Sequence, residues 1–201
     1  MEATIDRRYA AVYLDSMKEK QWKTISTFIV RKISERIRPT TNPYGIRFMD
    51  NTIVTRAEPK KTILFKNLTP FDYIVEKSVP YNILVVYCND AEIVGAIVEV
   101  GGLRNTSANM VDVNGYAITF KIMDRYKVLL TCEALGQTAL DFEENYRQYG
   151  RLNMIVALGW WRVVRPNWRS KNVKIVSHGS ISKVFPEPDI EEVEEIKMVI
   201  G

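Results

Sequence analysis

The feature that most constrains this chain is a train of short apolar runs over residues 62–186, each of strand length and each closed by turn chemistry. TILFK (62–66), DYIVEK (72–77), YNILVVYC (81–88), EIVGAIVEV (92–100), YAITFKIM (116–123) and YKVLLTC (126–132) are rich in Ile, Val, Tyr and Phe. Such residues suit a pleated, half-buried surface. Between the runs stand Leu68, Thr69 and Pro70, then Asn89 and Asp90, Gly101 and Gly102, Asn114 and Gly115, and Asp124 and Arg125. These residue types favour turns. Asn114 and Gly115 predict a tight hairpin, because both tolerate positive φ. A long run, LNMIVALGWWRVV (152–164), is followed by NVKIVS (172–177) and SISKVF (180–185), with His178 and Gly179 predicting a hairpin between the last two.

One helix interrupts the strands. Leu135, Ala139, Phe142, Tyr146 and Tyr149 recur at helical spacing, and Gly150 stands where a C-terminal cap belongs. Strands and helices do not alternate regularly, which argues against a doubly wound parallel sheet. The expected fold is mainly β, an antiparallel two-sheet sandwich with a jelly roll as the leading topology. An open barrel or an immunoglobulin-like sandwich is the alternative. The sequence displays no internal repeat.

The two ends read differently. In ISTFIVRKISERI, the residues Ile25, Phe28, Ile29, Ile33 and Ile37 share one helical stripe, with Arg31, Lys32, Arg36 and Arg38 supplying cations. Residues 1–38 are therefore expected to be a basic helical arm that Pro39 ends. Residues 39–61 form a connector with one short strand at 46–48 or 52–55. The sandwich occupies 62–186. The tail, 187–201, carries six carboxylates and one Lys, and its spacing fits either a helix or a strand.

Composition narrows the function class. Apolar residues make up 46% and charged residues 26%, values of a globular chain rather than a disordered one. No apolar run reaches the roughly 18–20 residues that span a bilayer. The charged N-terminal segment lacks a signal-peptide h-region, so an intracellular protein is expected. The only cysteines, Cys88 and Cys132, sit in apolar surroundings and read as free buried thiols. His178 is the only histidine, so neither a closed zinc site nor a second histidine-based catalytic set is available. The carboxylates Asp141, Glu143 and Glu144 lack the spacing of a calcium loop. No metal, cofactor or enzymatic activity is expected.

Charge carries the strongest functional signal. Residues 145–186 hold eight Lys/Arg and no carboxylate, a local field suited to an anionic partner. At its centre, GWWRVVRPNWRSKNVK (159–174) holds three of the four tryptophans. If 152–164 is a strand, Leu158, Trp160, Arg162 and Val164 share one face and Ala157, Gly159, Trp161, Val163 and Arg165 the other. One of Trp160 and Trp161 is then expected in the core and the other on a surface or subunit interface. Trp160, Trp161, Arg162, Arg165, Trp168, Arg169, Lys171 and Lys174 are thus the expected interface. Arg beside an aromatic suits stacking on bases and holding phosphates, and equally a protein contact.

Two functions follow, with an enzyme of unrecognised type, built from scattered carboxylates, ranking behind both. The leading one is a non-catalytic, self-assembling shell subunit of a virus, assembled in the host cytoplasm, its basic surface facing genome or a neighbouring copy. The alternative is a cytoplasmic single-strand nucleic-acid-binding module with a Trp/Arg platform.

Overall fold

The computed structural model describes residues 2–18, 21–34, 42–59, 70–76, 84–85, 93–107, 112–149, 153–166 and 172–201. It divides into two compact units, Met1–Ile63 and Leu64–Gly201.

In the first unit, β1 (Glu2–Thr4) leads into helix α1 (Arg7–Tyr13), which Asp6 caps by accepting from the Arg8 amide. Strands β2 (Lys23–Ser26) and β3 (Ile29–Lys32) follow, then β4 (Tyr44–Arg47) and β5 (Ile53–Arg56). Strand β4 lies between a parallel β1 and an antiparallel β3, while β2 and β5 form a separate antiparallel pair. The core is small. Tyr13 packs edge-on to Phe48 at 5.0 Å, and its hydroxyl donates to the carbonyls of Met49 and Thr52.

Of the helix expected across residues 25–37, residues 25–34 instead fall in β2, β3 and the non-helical positions around them, and 35–37 lie outside the described residues. Thr27 adopts a left-handed conformation (φ 59°) between two strands. It breaks the alternation of β2 and β3, so apolar residues fall three apart, at Ile25 and Phe28, and imitate a helical stripe. Of the arm's cations, Arg31 lies on β3 with its Nη2 3.4 Å from Thr4 Oγ1, and Lys32 is exposed at the end of that strand. Arg36 and Arg38 lie outside the described residues.

The second unit opens with helix α2 (Phe71–Val75), where the sequence predicts a strand, and β6 (Leu84–Val85). Then come β7 (Ile93–Val100), β8 (Arg104–Asn105), β9 (Tyr116–Met123) and β10 (Leu129–Leu135). Helix α3 (Gln137–Tyr149) crosses to β11 (Ile155–Gly159) and β12 (Trp161–Val164), followed by β13 (Lys174–Val176), β14 (Lys183–Pro186) and α4 (Glu191–Ile200). The strands pair in the order β14-β11-β7-β9-β10-β13-β12-β6, with β8 added to β9.

Strands β11 and β12 are separated by Trp160 alone, yet one pairs with β7 and the other with β13. The sheet must therefore curl back on itself as an open barrel of β7, β9, β10, β13 and the broken β11/β12. It is not a jelly roll: β10 and β13 run parallel, because α3 carries the chain across between them. Alternation reveals strands but not their partners, so the sequence could not distinguish these architectures.

Ile118, Phe120 and Ile122 from β9 meet Cys132, Ile175 and Val163 inside the barrel, and Phe142 of α3 stacks on Phe120 at 4.2 Å. At Gly95 a β-carbon would come within 2.9 Å of the Phe71 ring, so glycine lets α2 pack on β7. Cys132 is buried, and burial pushes its thiol up; Cys88 lies outside the described residues. The acidic tail resolves as α4, whose Val193 and Ile196 cover Val94, Ala96, Ile155 and Ala157. Among its carboxylates, Glu187 accepts from the Ile155 amide at 2.9 Å, Glu195 pairs with Arg125, and Glu187 and Glu194 pair with Lys197. Neither expected hairpin forms. Gly115 ends a 3-10 turn that returns to β8, and β14 pairs with β11 rather than β13.

The first unit repeats the later part of the second. In each, a strand, a helix and four strands follow in order: β1, α1, β2–β5 against β10, α3, β11–β14. Every pairing among them recurs. The parallel pair β1 and β4 matches β10 and β13, and the antiparallel pairs β3–β4 and β2–β5 match β12–β13 and β11–β14. The parallel ladder is extended by Phe48 N to Thr4 O in one and Ser177 N to Glu133 O in the other, both 3.0 Å. Each breaks its long strand at a left-handed residue, Thr27 (φ 59°) or Trp160 (φ 61°). One hydroxyl then bridges that residue's carbonyl to a backbone amide: Thr52 Oγ1 donates to Thr27 O and accepts from Met49, and Ser182 Oγ donates to Trp160 O and accepts from His178. The paired residues differ in identity, which is why the sequence hides the repeat.

Candidate nucleic-acid interface

On β9 the alternation is strict. Ile118, Phe120 and Ile122 face inward, which sends Thr119, Lys121 and Met123 to the outer face. The register then builds two outer rows. Lys121 stands beside Thr131, Lys174 and Val164 across β9, β10, β13 and β12, and Thr119 beside Glu133, Val176 and Arg162. Arg104 of β8 reaches this face, donating to Thr119 Oγ1 at 3.1 Å.

Two carboxylates lie among these cations. Glu99 accepts from Lys121 Nζ at 2.7 Å. Glu133 stands between Arg104 at 3.7 Å and Lys174 at 3.9 Å. Its side chain is 23% exposed, against 60% and 52% for the two cations. Arg162 is half-buried, and its Nε is buried without a hydrogen bond among the described residues. At one end of the face, the turn joining β9 to β10 is held by Asp124, which accepts from the amides of Tyr126 and Val128. That turn exposes the Tyr126 ring, with the Arg125 guanidinium 4.9 Å from its centre.

The expected interface divides. Lys174 lies on this face, and so does Arg162. Trp161 does not: it is fully buried, donates from Nε1 to Lys183 O at 3.0 Å and meets Phe120 edge-on. The left-handed turn at Trp160 reverses the phase of alternation, so Val156 and Leu158 before it and Trp161 and Val163 after it all enter the core. Trp160 itself is half-buried at the break. Arg165 is engaged elsewhere, donating to the carbonyls of Ile74 and Val75 (3.1 Å to the latter), and burial lowers the affinity of its guanidinium for the proton. It thereby serves the carbonyls at the end of α2. Trp168, Arg169 and Lys171 belong to the connection between β12 and β13 and lie outside the described residues.

Sequence reading passed over Arg104, Thr119, Lys121, Thr131 and Glu133. A lysine opposite Ile118, Phe120 and Ile122 was a legible sign in YAITFKIM. The meeting of Glu133 with Lys174 was not, because only the parallel pairing joins them.

Comparison with known proteins bears on the fold. A family described as "Domain of unknown function DUF223" matches residues 1–77, less than half of the chain. No curated protein matches the sequence. Among solved structures, a chain of a replication protein A heterotrimer bound to single-stranded DNA aligns with a TM-score of 0.57 and 16% identity, over 98% of this chain and 42% of that one. This chain therefore spans about two fifths of that relative's length. A murine DNA-binding protein bound with double-stranded DNA aligns at 0.43 and 10% identity, covering 94% and 80% of the two chains. Fission yeast Pot1 with single-stranded DNA aligns at 0.38 and 8%, covering 89% and 67%. Of these three only the first exceeds a TM-score of 0.5, and its likeness bears on the fold alone, a mainly β chain with a curled sheet.

Proposed function

We propose that residues 64–201 bind single-stranded nucleic acid on the outer face of β9, β10, β13 and β12. One observation carries the reading: Arg104, Lys121, Lys174 and Arg162, which are scattered through the sequence, converge on a single face of the barrel. In chain order, β7, β9, β10, β11/β12 and β13 are strands one to five. Barrels of this kind meet oligonucleotides on the second and third strands and at the connections joining strands one to two and four to five. Those strands here are β9 and β10. The two connections carry Arg104 in one case and Trp168, Arg169 and Lys171 in the other. Threonines and an exposed Tyr126 among separated cations suit a sequence-tolerant strand, with phosphates on Lys and Arg and bases against the sheet.

The likeness to a replication protein A chain, whose complex contains single-stranded DNA, supports this reading over a shell subunit. The shell reading rests on a jelly roll, which the parallel pairing of β10 and β13 does not support. The test is fluorescence anisotropy of a labelled single-stranded 20-mer titrated at several salt concentrations. Each neutralised phosphate steepens the fall of log affinity with log salt by about 0.7, so three to four contacts give a slope of roughly −2 to −3. Lys121→Ala with Lys174→Ala should flatten it by about 1.4. Absence of binding, or a flat salt response, refutes the proposal.

A further inference from the structure

The repeat between the two units is incomplete, and what it lacks is specific. In the second unit β10 pairs on its other edge with β9, and β11 pairs on its other edge with β7, while β7 and β9 pair with each other. Those two antiparallel strands close the barrel. Among the described residues of the first unit, nothing takes their places: β1 pairs only with β4, and β2 only with β5.

The side chains register the same gap. Matching the units through their ladders places Ala3 at the position of Cys132, Phe28 at that of Trp161 and Val30 at that of Val163. The three residues of the second unit are 0%, 0% and 2% exposed. Ala3 is exposed, Phe28 is 36% exposed and Val30 is 55% exposed. Apolar residues whose counterparts line a closed barrel are thus open on the side where two strands are missing. Apolar surface beside strand edges with unused amides and carbonyls favours strand addition.

We propose that the first unit is a half-barrel that receives an antiparallel β-hairpin from a partner polypeptide. One strand of the hairpin pairs with β1 and the other with β2. Its inward face is apolar, as Ile93, Ile97, Ile118, Phe120 and Ile122 are on the hairpin that closes the second unit. Within residues 1–201 that hairpin is already engaged by β10 and β11, so the occupant is a different segment. The inference does not depend on nucleic-acid binding.

The test uses the full chain and, as probe, a synthetic peptide of residues 93–123, the sequence that fills the equivalent place. Hydrogen exchange read by mass spectrometry should show saturable protection in Glu2–Thr4 and Lys23–Ser26 on adding peptide. Val30→Asp, at an exposed position, should weaken peptide binding at least tenfold while leaving the exchange of β9 and β10 unchanged. Peptide that leaves β1 and β2 unprotected overturns the proposal, as does binding indifferent to Val30→Asp. It is also overturned if the chain alone is a dimer with those edges already protected, since a second copy would then be the occupant.

Discussion

Glu133 is the one carboxylate placed between two cations of the proposed interface, and Glu133→Gln removes its charge while keeping its shape. At 3.7 and 3.9 Å, each ion pair is worth about 1 kcal/mol by Coulomb's law in water, and measured values for exposed pairs are roughly 0.2–1 kcal/mol. A phosphate that engages both Arg104 and Lys174 must displace the carboxylate, at a combined cost of about 0.4–2 kcal/mol. Removing it should therefore tighten single-strand binding about 2- to 30-fold at low salt, taking 1.4 kcal/mol as tenfold. The salt slope should stay near its wild-type value, because Arg104 and Lys174 already count among the phosphate contacts. The gain should shrink towards 0.2 M salt, where screening acts over less than about 10 Å. Anisotropy titrations of wild type and variant on one labelled 20-mer read both quantities. If the variant binds within twofold of wild type at 50 mM salt, Glu133 does not compete with phosphate and the strand does not cross this part of the face. Weaker binding would point instead to Glu133 accepting from a base.

Two further outcomes test the architecture. Trp161→Ala should cost about 3–5 kcal/mol in urea denaturation, since it empties a core position and leaves the Lys183 carbonyl without its donor; a cost below about 1 kcal/mol would place Trp161 outside the core. Gly115→Ala should destabilise by about 1–3 kcal/mol although Gly115 does not have positive φ, because the new β-carbon would stand 2.4 Å from Ser107 Cβ and 2.5 Å from Asn105 Oδ1; an unchanged melting temperature would refute that close approach.

What the sequence determined by itself is local. The apolar runs EIVGAIVEV and YAITFKIM marked β7 and β9 almost to their ends, and the period of Leu135, Ala139, Phe142 and Tyr146 marked α3. Both signals arise within a few residues, where side-chain direction follows backbone geometry directly. The basic stretch around Arg162 and Lys174 was equally legible, because charge is read residue by residue. The tertiary structure decided everything that depends on partners. Alternation carries no record of which strands pair, so the parallel ladder of β10 and β13, and with it the barrel and the approach of Glu133 to Lys174, could not be read. A single left-handed residue also shifts the phase of a strand. At Trp160 it decided which of the two adjacent tryptophans enters the core, and at Thr27 it gave two strands the spacing of a helix. The repeat of the two units stayed hidden for a related reason. It is held by backbone ladders and by one bridging hydroxyl, Thr52 in one unit and Ser182 in the other, and backbone hydrogen bonds place little demand on the identity of the residues that make them.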